Sequence, residues 1–78
     1  MPDRIIKFLN SLDEKTKNRL KGKLLEIKQN PFGHKDVKKL HGSWIGCYRF
    51  RLGKIRVIYV VKNGTVEVVD IDYRGNIY

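Results

Sequence analysis

The sequence is poor in cysteine, proline and acidic residues, and it contains no long hydrophobic run. Its single cysteine, Cys47, excludes an internal disulfide and is typical of proteins in a reducing compartment. The longest apolar run covers residues 57–61, far short of the roughly 20 apolar residues that a membrane-spanning helix needs. No secretory signal is recognisable before the first predicted helix. The sequence therefore predicts a cytoplasmic protein that does not enter a membrane.

The chain contains many basic residues and few acidic ones. The chain has 17 Lys and Arg residues against 8 Asp and Glu residues, which gives a net charge of +9. Such an excess favours a nucleic acid or an acidic protein as the partner. A basic domain whose lysines only hydrate its surface has the same composition, so charge alone does not decide between them. At 78 residues, the chain is expected to form a single domain, residues 1–78, with one small core.

Two helices are predicted in the N-terminal part of the chain. Apolar residues recur at helical spacing over residues 5–12 and make one stripe. A second helix is expected between about residues 12 and 29, with either Ser11 in a capping box or Asp13 as its N-cap. It ends at Asn30-Pro31, because the residue before proline is pushed away from helical angles. These helices should form an αα-hairpin that packs on a sheet.

The segment 47–59 predicts two antiparallel strands joined by a two-residue turn at Gly53-Lys54, which pairs Arg51 with Arg56. Because side chains alternate along a strand, six apolar residues share one face and three arginines share the other. The six are Tyr48, Phe50, Leu52, Ile55, Val57 and Tyr59; the three are Arg49, Arg51 and Arg56, and their side of the sheet is here called the arginine face. Like charges opposite one another destabilise a sheet, so this cluster predicts a bound anion.

A further strand is predicted over residues 66–73, after a turn at Asn63-Gly64. A two-residue loop would bury Asp70 and Asp72 under the helices. A three-residue loop, with Gly64 left-handed, would instead put both carboxylates on the arginine face together with Arg74. The inward residues would then be Val69 and Ile71. Because burying unpaired carboxylates is costly, the three-residue loop is the favoured prediction.

These elements predict an α+β fold, with the αα-hairpin on one face of a small, twisted antiparallel sheet. Residues 37–40 form either a short strand or a loop, so the sheet has three or four strands.

Arginine binds phosphate through a bidentate fork and stacks on bases, which makes the arginine face a candidate phosphodiester site. No Cys/His cluster at ligand spacing and no glycine-rich phosphate loop is present, so no metal or cofactor is predicted. His34 and His41 are expected to be exposed and non-catalytic.

A family resemblance is carried by segments in a fixed order. Two predicted helices are followed by NPFG at 30–33, KLHG at 39–42, YRFRLGKIRVIYVV at 48–61 and VEVVDIDYRGNIY at 66–78. Together they resemble the RelE/ParE superfamily of type II toxins over nearly the whole chain. RelE-like members are ribosome-dependent endoribonucleases that cut mRNA in the A site, whereas ParE-like members poison DNA gyrase. Many relatives begin with a strand that is missing here.

The resemblance implies roles for individual residues. Arg56 matches the arginine that contacts the scissile phosphate, Arg74 matches an arginine of the C-terminal basic element, and Tyr78 matches a tyrosine that stacks on or helps activate the substrate. The implied catalytic residues are therefore Arg56, Arg74 and Tyr78, and the implied RNA-binding residues are Arg49, Arg51 and Lys54. Tyr73 stands where many relatives have histidine. Because arginine stays protonated, it stabilises charge well and serves badly as a base.

The resemblance thus implies the toxin of a type II toxin–antitoxin system. The favoured activity is that of a RelE-like endoribonuclease, which cuts translated mRNA in the ribosomal A site without a metal ion. An acidic antitoxin that folds on binding is the implied partner. Two alternatives stay open: a ParE-like inhibitor of DNA gyrase, and a truncated, inactive paralogue that only binds an antitoxin or a nucleic acid.

Overall fold

The computed structural model describes residues 3–73, in which two helices pack on one face of a four-stranded antiparallel sheet of order β1-β2-β3-β4. The elements are α1 (Asp3–Ser11), α2 (Glu14–Gln29), β1 (Lys38–Lys39), a 3₁₀ turn (Gly42–Trp44), β2 (Tyr48–Leu52), β3 (Ile55–Lys62) and β4 (Thr65–Tyr73). The predicted α+β fold is confirmed, and residues 38–39 supply the fourth strand. No helix within residues 3–73 is long and apolar enough to cross a membrane.

Local signals set the limits of α2. Of the two candidate caps, Asp13 is the one used: its Oδ1 accepts a hydrogen bond from the Thr16 backbone N–H at 2.8 Å. Hydrogen bonds from the side chain and the backbone of Thr16 hold the pKa of the Asp13 carboxyl below its ordinary value. The Ser11 hydroxyl instead donates to the Phe8 carbonyl at 2.6 Å, at the end of α1. Asn30 ends α2 as predicted.

The core lies between the helices and the sheet. Its helical members are Ile5, Leu12, Leu20 and Ile27, and its strand members are Phe50, Ile55, Val57, Tyr59 and Ile71. Tyr48 and Leu52 pack against this cluster, so all six apolar residues predicted to share a face do so. The Tyr59 hydroxyl donates to the Pro31 carbonyl at 2.5 Å, which ties the loop after α2 to the sheet. Burial, with a smaller contribution from nearby Tyr48, raises the pKa of Tyr59 to about 12.

The turn between β3 and β4 has two residues, so the predicted three-residue loop is wrong. Lys62 pairs with Thr65 across Asn63-Gly64. Both turn residues have positive φ, 52° and 76°. A tight hairpin turn with two left-handed residues matches the natural twist of the flanking strands, and Asn-Gly is the sequence that adopts it most readily.

A β-bulge at Val69 changes the register of β4. Val68 lies opposite Tyr59, and the next pair along the ladder joins Asp70 to Ile58, so Val69 has no partner across the strands. An unpaired extra residue of this kind bends and twists its strand. The bulge reverses which residues of β4 face the core.

From the bulge to Asp72, the predicted faces are correct for three residues of four. Ile71 is buried, and Asp70 and Asp72 lie opposite Ile58 and Arg56, on the arginine face. Val69, which was predicted to face inward, is 37% exposed. The chain therefore keeps its carboxylates out of the core by a bulge rather than by a longer turn.

The outer edge of β4 is covered by Arg4 of α1. The Arg4 guanidinium binds the carboxylates of Asp70 and Asp72, the latter at 3.0 Å, and donates to the Ile71 carbonyl at 3.3 Å. Asp70 and Asp72 also accept from the backbone N–H groups of Ile71 and Tyr73, at 2.9 and 2.8 Å. These contacts occupy hydrogen-bonding groups that an edge strand otherwise offers to another chain.

Candidate nucleic-acid interface

The arginine face is the side of the sheet that α1 and α2 leave uncovered. From β1 to β4, the register places on it Lys38, then Arg49 and Arg51, then Arg56, Ile58 and Val60, then Glu67, Asp70 and Asp72. The first three strands thus contribute cations and the fourth contributes carboxylates. The face is consequently divided into a basic part and an acidic edge.

Two like-charged pairs lie directly across neighbouring strands. Arg51 is opposite Arg56, as the turn predicted, and Lys38 is opposite Arg49. Residues opposed in this way have Cβ atoms about 4.5–5.5 Å apart, where like charges destabilise the sheet. Lys38 was missed by sequence reasoning, because residues 37–40 were not assigned to a strand of known register. These four residues are called the basic cluster below.

The carboxylates nearest the basic cluster are directed to the opposite edge. Asp72 lies opposite Arg56 in the register, but its two oxygens bind Arg4 and the Tyr73 backbone N–H. Asp70 makes the corresponding contacts with Arg4 and the Ile71 N–H. Arg4 therefore competes with the basic cluster for the negative charge of β4.

Arg49 is the most enclosed cation of the cluster, since the residue is only 8% exposed. Its neighbours across the strands are Lys38 on one side and the fully buried Ile58 on the other. Among the described residues, no carboxylate binds its guanidinium. A buried cation without a counter-charge is costly, so this position suits a site that receives its negative charge from a ligand.

The six residues predicted to form the site fall into three groups. Arg49, Arg51 and Arg56 come together on the arginine face. Lys54 is exposed in the turn after β2 and borders a cleft of about 420 Å³ that opens toward the junction of the two helices. Arg74 and Tyr78 lie outside the described residues, so the roles implied for them stay predictions.

The side chains of the described tyrosines do not lie on the arginine face. Tyr48 and Tyr59 stack with ring centroids 5.8 Å apart on the core side of the sheet. Tyr73, which lies opposite Ile55, packs against Phe8 of α1 at 5.1 Å. The arrangement of residues 3–73 can thus bind an anion and stabilise negative charge, but none of these phenols can transfer a proton there. Within the same residues, no three His, Cys, Asp or Glu side chains group as metal ligands.

His34 has a structural position that the sequence did not reveal. Its side chain is only 11% exposed, so the expectation of an exposed histidine was wrong. Its Nε2 lies 3.2 Å from a Glu26 carboxylate oxygen, and its Nδ1 accepts from the Asp36 backbone N–H at 3.1 Å. Asp36 binds the Lys23 ammonium at 2.7 Å, and this hydrogen bond lowers the pKa of the Asp36 carboxyl. The contacts fasten the loop after α2 to that helix.

Comparison with known proteins identifies the family. The family model described as the ParE toxin of the type II toxin–antitoxin system parDE matches residues 3–78. The chain belongs to this family. The resemblance to the RelE/ParE superfamily is thereby confirmed, and the protein is a toxin of a type II toxin–antitoxin system.

The fold of this toxin is similar to that of a solved structure, the YoeB-YefM complex from Staphylococcus aureus. The TM-score is 0.71 at 21% sequence identity, and the match covers 86% of this chain and 80% of that chain. At this identity the likeness concerns the fold. A search of curated proteins finds no match.

Proposed function

We propose that this toxin is a RelE-like endoribonuclease that cuts translated mRNA in the ribosomal A site. The observation that carries the proposal is the basic cluster, in which Arg51 lies opposite Arg56 and beside Arg49 on the uncovered face of the sheet. Guanidinium groups bind phosphate oxygens in a bidentate fork, and several of them on one face suit a phosphodiester better than a neutral ligand.

The chemistry proposed here uses the 2′-hydroxyl of the RNA itself as the nucleophile. Its attack on the neighbouring phosphorus builds negative charge on the phosphorane oxygens, and the bond to the 5′-oxygen then breaks. Arg56 is proposed to stabilise that charge, with Arg74 as a second phosphate ligand. Tyr78 is proposed to orient the nucleophile. The proton that leaves the 2′-hydroxyl and the proton that the departing 5′-oxygen gains are proposed to be transferred by groups other than the described tyrosines, such as Tyr78 or a group of the ribosome.

The proposed partner is an acidic antitoxin. A net charge of +9 attracts an acidic segment over a distance. The structurally similar complex pairs YoeB with YefM, which supports a protein partner for this toxin as well.

Growth and mRNA cleavage in cells that express single variants test the proposal. The wild-type toxin is expected to arrest growth and to cut translated transcripts. Arg56→Ala and Arg74→Ala should reduce cleavage by about 100-fold or more, because a charge-stabilising contact in the transition state is lost.

The matched control is Arg19→Ala, which removes the same charge from an exposed position on α2. It should leave cleavage unchanged, and circular dichroism should give the same folded spectrum for all variants. Full toxicity of both the Arg56 and the Arg74 variant would contradict the site assignment. Absence of growth arrest by the wild type would indicate an inactive paralogue.

A second candidate function is inhibition of DNA gyrase. It is favoured by the matching family model, whose description names ParE. This function needs binding without bond cleavage. DNA breaks and an SOS response, with translated mRNA intact, would select it over the endoribonuclease.

A further inference from the structure

We infer that Lys38 and Arg49 form a second phosphate site on the arginine face, which binds the nucleic-acid backbone next to the phosphate held at Arg51 and Arg56. The inference rests on the proposed function in taking RNA as the ligand. It adds a residue, Lys38, for which the family resemblance implies no role.

The sheet register brings Lys38 into the basic cluster. Lys38 lies directly opposite Arg49, so the two side chains leave the sheet on the same side. Their pair is displaced from the Arg51–Arg56 pair by two residues along β2 and by one strand toward the β1 edge. These steps correspond to roughly 7 Å along the strand and about 5 Å across it. The two cationic pairs therefore lie on a diagonal, as a path for an extended polyanion.

Neither member of the proposed site has a carboxylate partner among the described residues. Arg49 is 8% exposed, whereas Lys38 is exposed at the edge of the sheet. The acidic residues of this face, Glu67, Asp70 and Asp72, belong to β4, two strands away from Arg49, and both aspartates bind Arg4. Two like charges are thus held opposite each other without an anion from residues 3–73, and an external anion relieves both their repulsion and the cost of enclosing Arg49.

The surface chemistry favours a phosphate backbone over an acidic protein segment. A protein segment needs apolar anchors for a stable interface, and these fill pockets at its centre. Directly opposite Arg49, the apolar residue on this face is Ile58, which is fully buried, and Val60, the next residue of β3 on this face, is only partly exposed. The four side chains of the basic cluster are all cationic, which is the character of a surface that follows a nucleic-acid backbone.

The chain supplies its own control in the residue after Lys38. Lys39 is also an exposed lysine of β1, but it lies opposite Tyr48, on the core side of the sheet. Lys38→Ala and Lys39→Ala therefore remove the same charge from the same strand and differ in the face that loses it. A difference in RNA binding between these two variants therefore arises from the proposed site and not from the net charge of the protein.

Binding of the purified full-length toxin to a labelled single-stranded RNA, measured by fluorescence anisotropy across a range of salt concentrations, tests the inference. Lys38→Ala should weaken binding by about 3- to 10-fold at low salt. It should also lower the slope of log K against log salt by about 0.7, as expected when one phosphate contact to a single strand is lost. Lys39→Ala should leave both quantities near the wild-type values, and Lys38→Arg should retain binding.

Equal effects of Lys38→Ala and Lys39→Ala, or no binding of RNA by the wild type, would overturn the inference. A synthetic polyglutamate serves as a second probe, and a Lys38 dependence confined to it would show an acidic-protein site instead. Cleavage of translated mRNA is measured separately. If the wild-type toxin cleaves mRNA but Lys38→Ala and Lys39→Ala bind RNA equally well, this inference alone is wrong. If RNA binding depends on Lys38 but the wild-type toxin cleaves no mRNA, the phosphate site is supported and the proposed function is wrong.

Discussion

At the scale of single residues, Gly22 stands at a position where the structure does not require a glycine. It lies exposed in the middle of α2, and a Cβ atom added there would meet nothing within 4 Å. Glycine in a helix interior costs about 1 kcal/mol relative to alanine, because its unfolded chain has more freedom to lose. No close packing offsets this cost.

We therefore expect Gly22→Ala to raise the free energy of unfolding by about 1 kcal/mol, which corresponds to a rise in Tm of about 4–8 °C for a domain of this size. Thermal and urea denaturation followed by circular dichroism measure it. The opposite control is Gly64→Ala, which should destabilise the fold because φ is +76° at that position. A neutral or negative effect at residue 22 would show that the helix tolerates glycine there for a reason that packing does not reveal.

Residues whose surroundings are fixed by strand alternation could be predicted, and residues fixed by loop contacts could not. Arg51 and Arg56 were assigned to one face because a turn two residues away determines their register. The burial of His34 depends on Glu26, eight residues earlier, and on the shape of a loop. Nothing in the local spacing of these residues indicates that contact.

At the scale of elements, the polar contact between α1 and the edge of β4 is made by Arg4, in addition to the packing of Phe8 against Tyr73. Arg4 joins two carboxylates and a backbone carbonyl there, although more than half of its side chain is exposed. Exposed ion pairs contribute about 0–1 kcal/mol, so the contact is a weak source of stability. Its position at a sheet edge gives it a second role, because uncovered edges pair with other chains.

Arg4→Ala is accordingly expected to lower the free energy of unfolding by no more than about 1 kcal/mol, but to increase self-association of the toxin. Analytical ultracentrifugation over a range of protein concentrations measures the association. Lys7→Ala, which removes an exposed cation from the same helix, is the control. If both variants associate as weakly as the wild type, Arg4 does not protect this edge.

Elements differed in how far their pairing could be predicted. The β2–β3 hairpin was predicted to the residue, because a two-residue turn and strict alternation leave one register that buries the apolar face. The register of β4 was not, because two requirements conflict: Asn63-Gly64 favours a tight turn, and Asp70 and Asp72 must avoid the core. A bulge satisfies both, but its position depends on the partner strand.

At the scale of the whole molecule, the sheet separates two tasks. One face packs against the helices and provides the core, and the other presents cations from three strands. The fold class and the superfamily were predicted because the apolar pattern and the order of motifs extend over nearly the whole chain. The preference for cutting mRNA over binding gyrase stays a prediction, because the resemblance implies both functions for one fold and they depend on a few side chains of the uncovered face.

The bulge at Val69 makes the geometry of the arginine face adjustable from a position outside the basic cluster. Deleting Val69 would restore regular alternation, since Val68 and Asp70 already occupy consecutive places in the ladder. We expect the deletion variant to fold, with a thermal transition within several degrees of the wild type, while the extra twist that a bulge imposes is lost. RNA affinity should then change although every cation is retained, which anisotropy would detect. A change of one residue in the length of β4 would thus alter the shape of the arginine face without altering any of its cations.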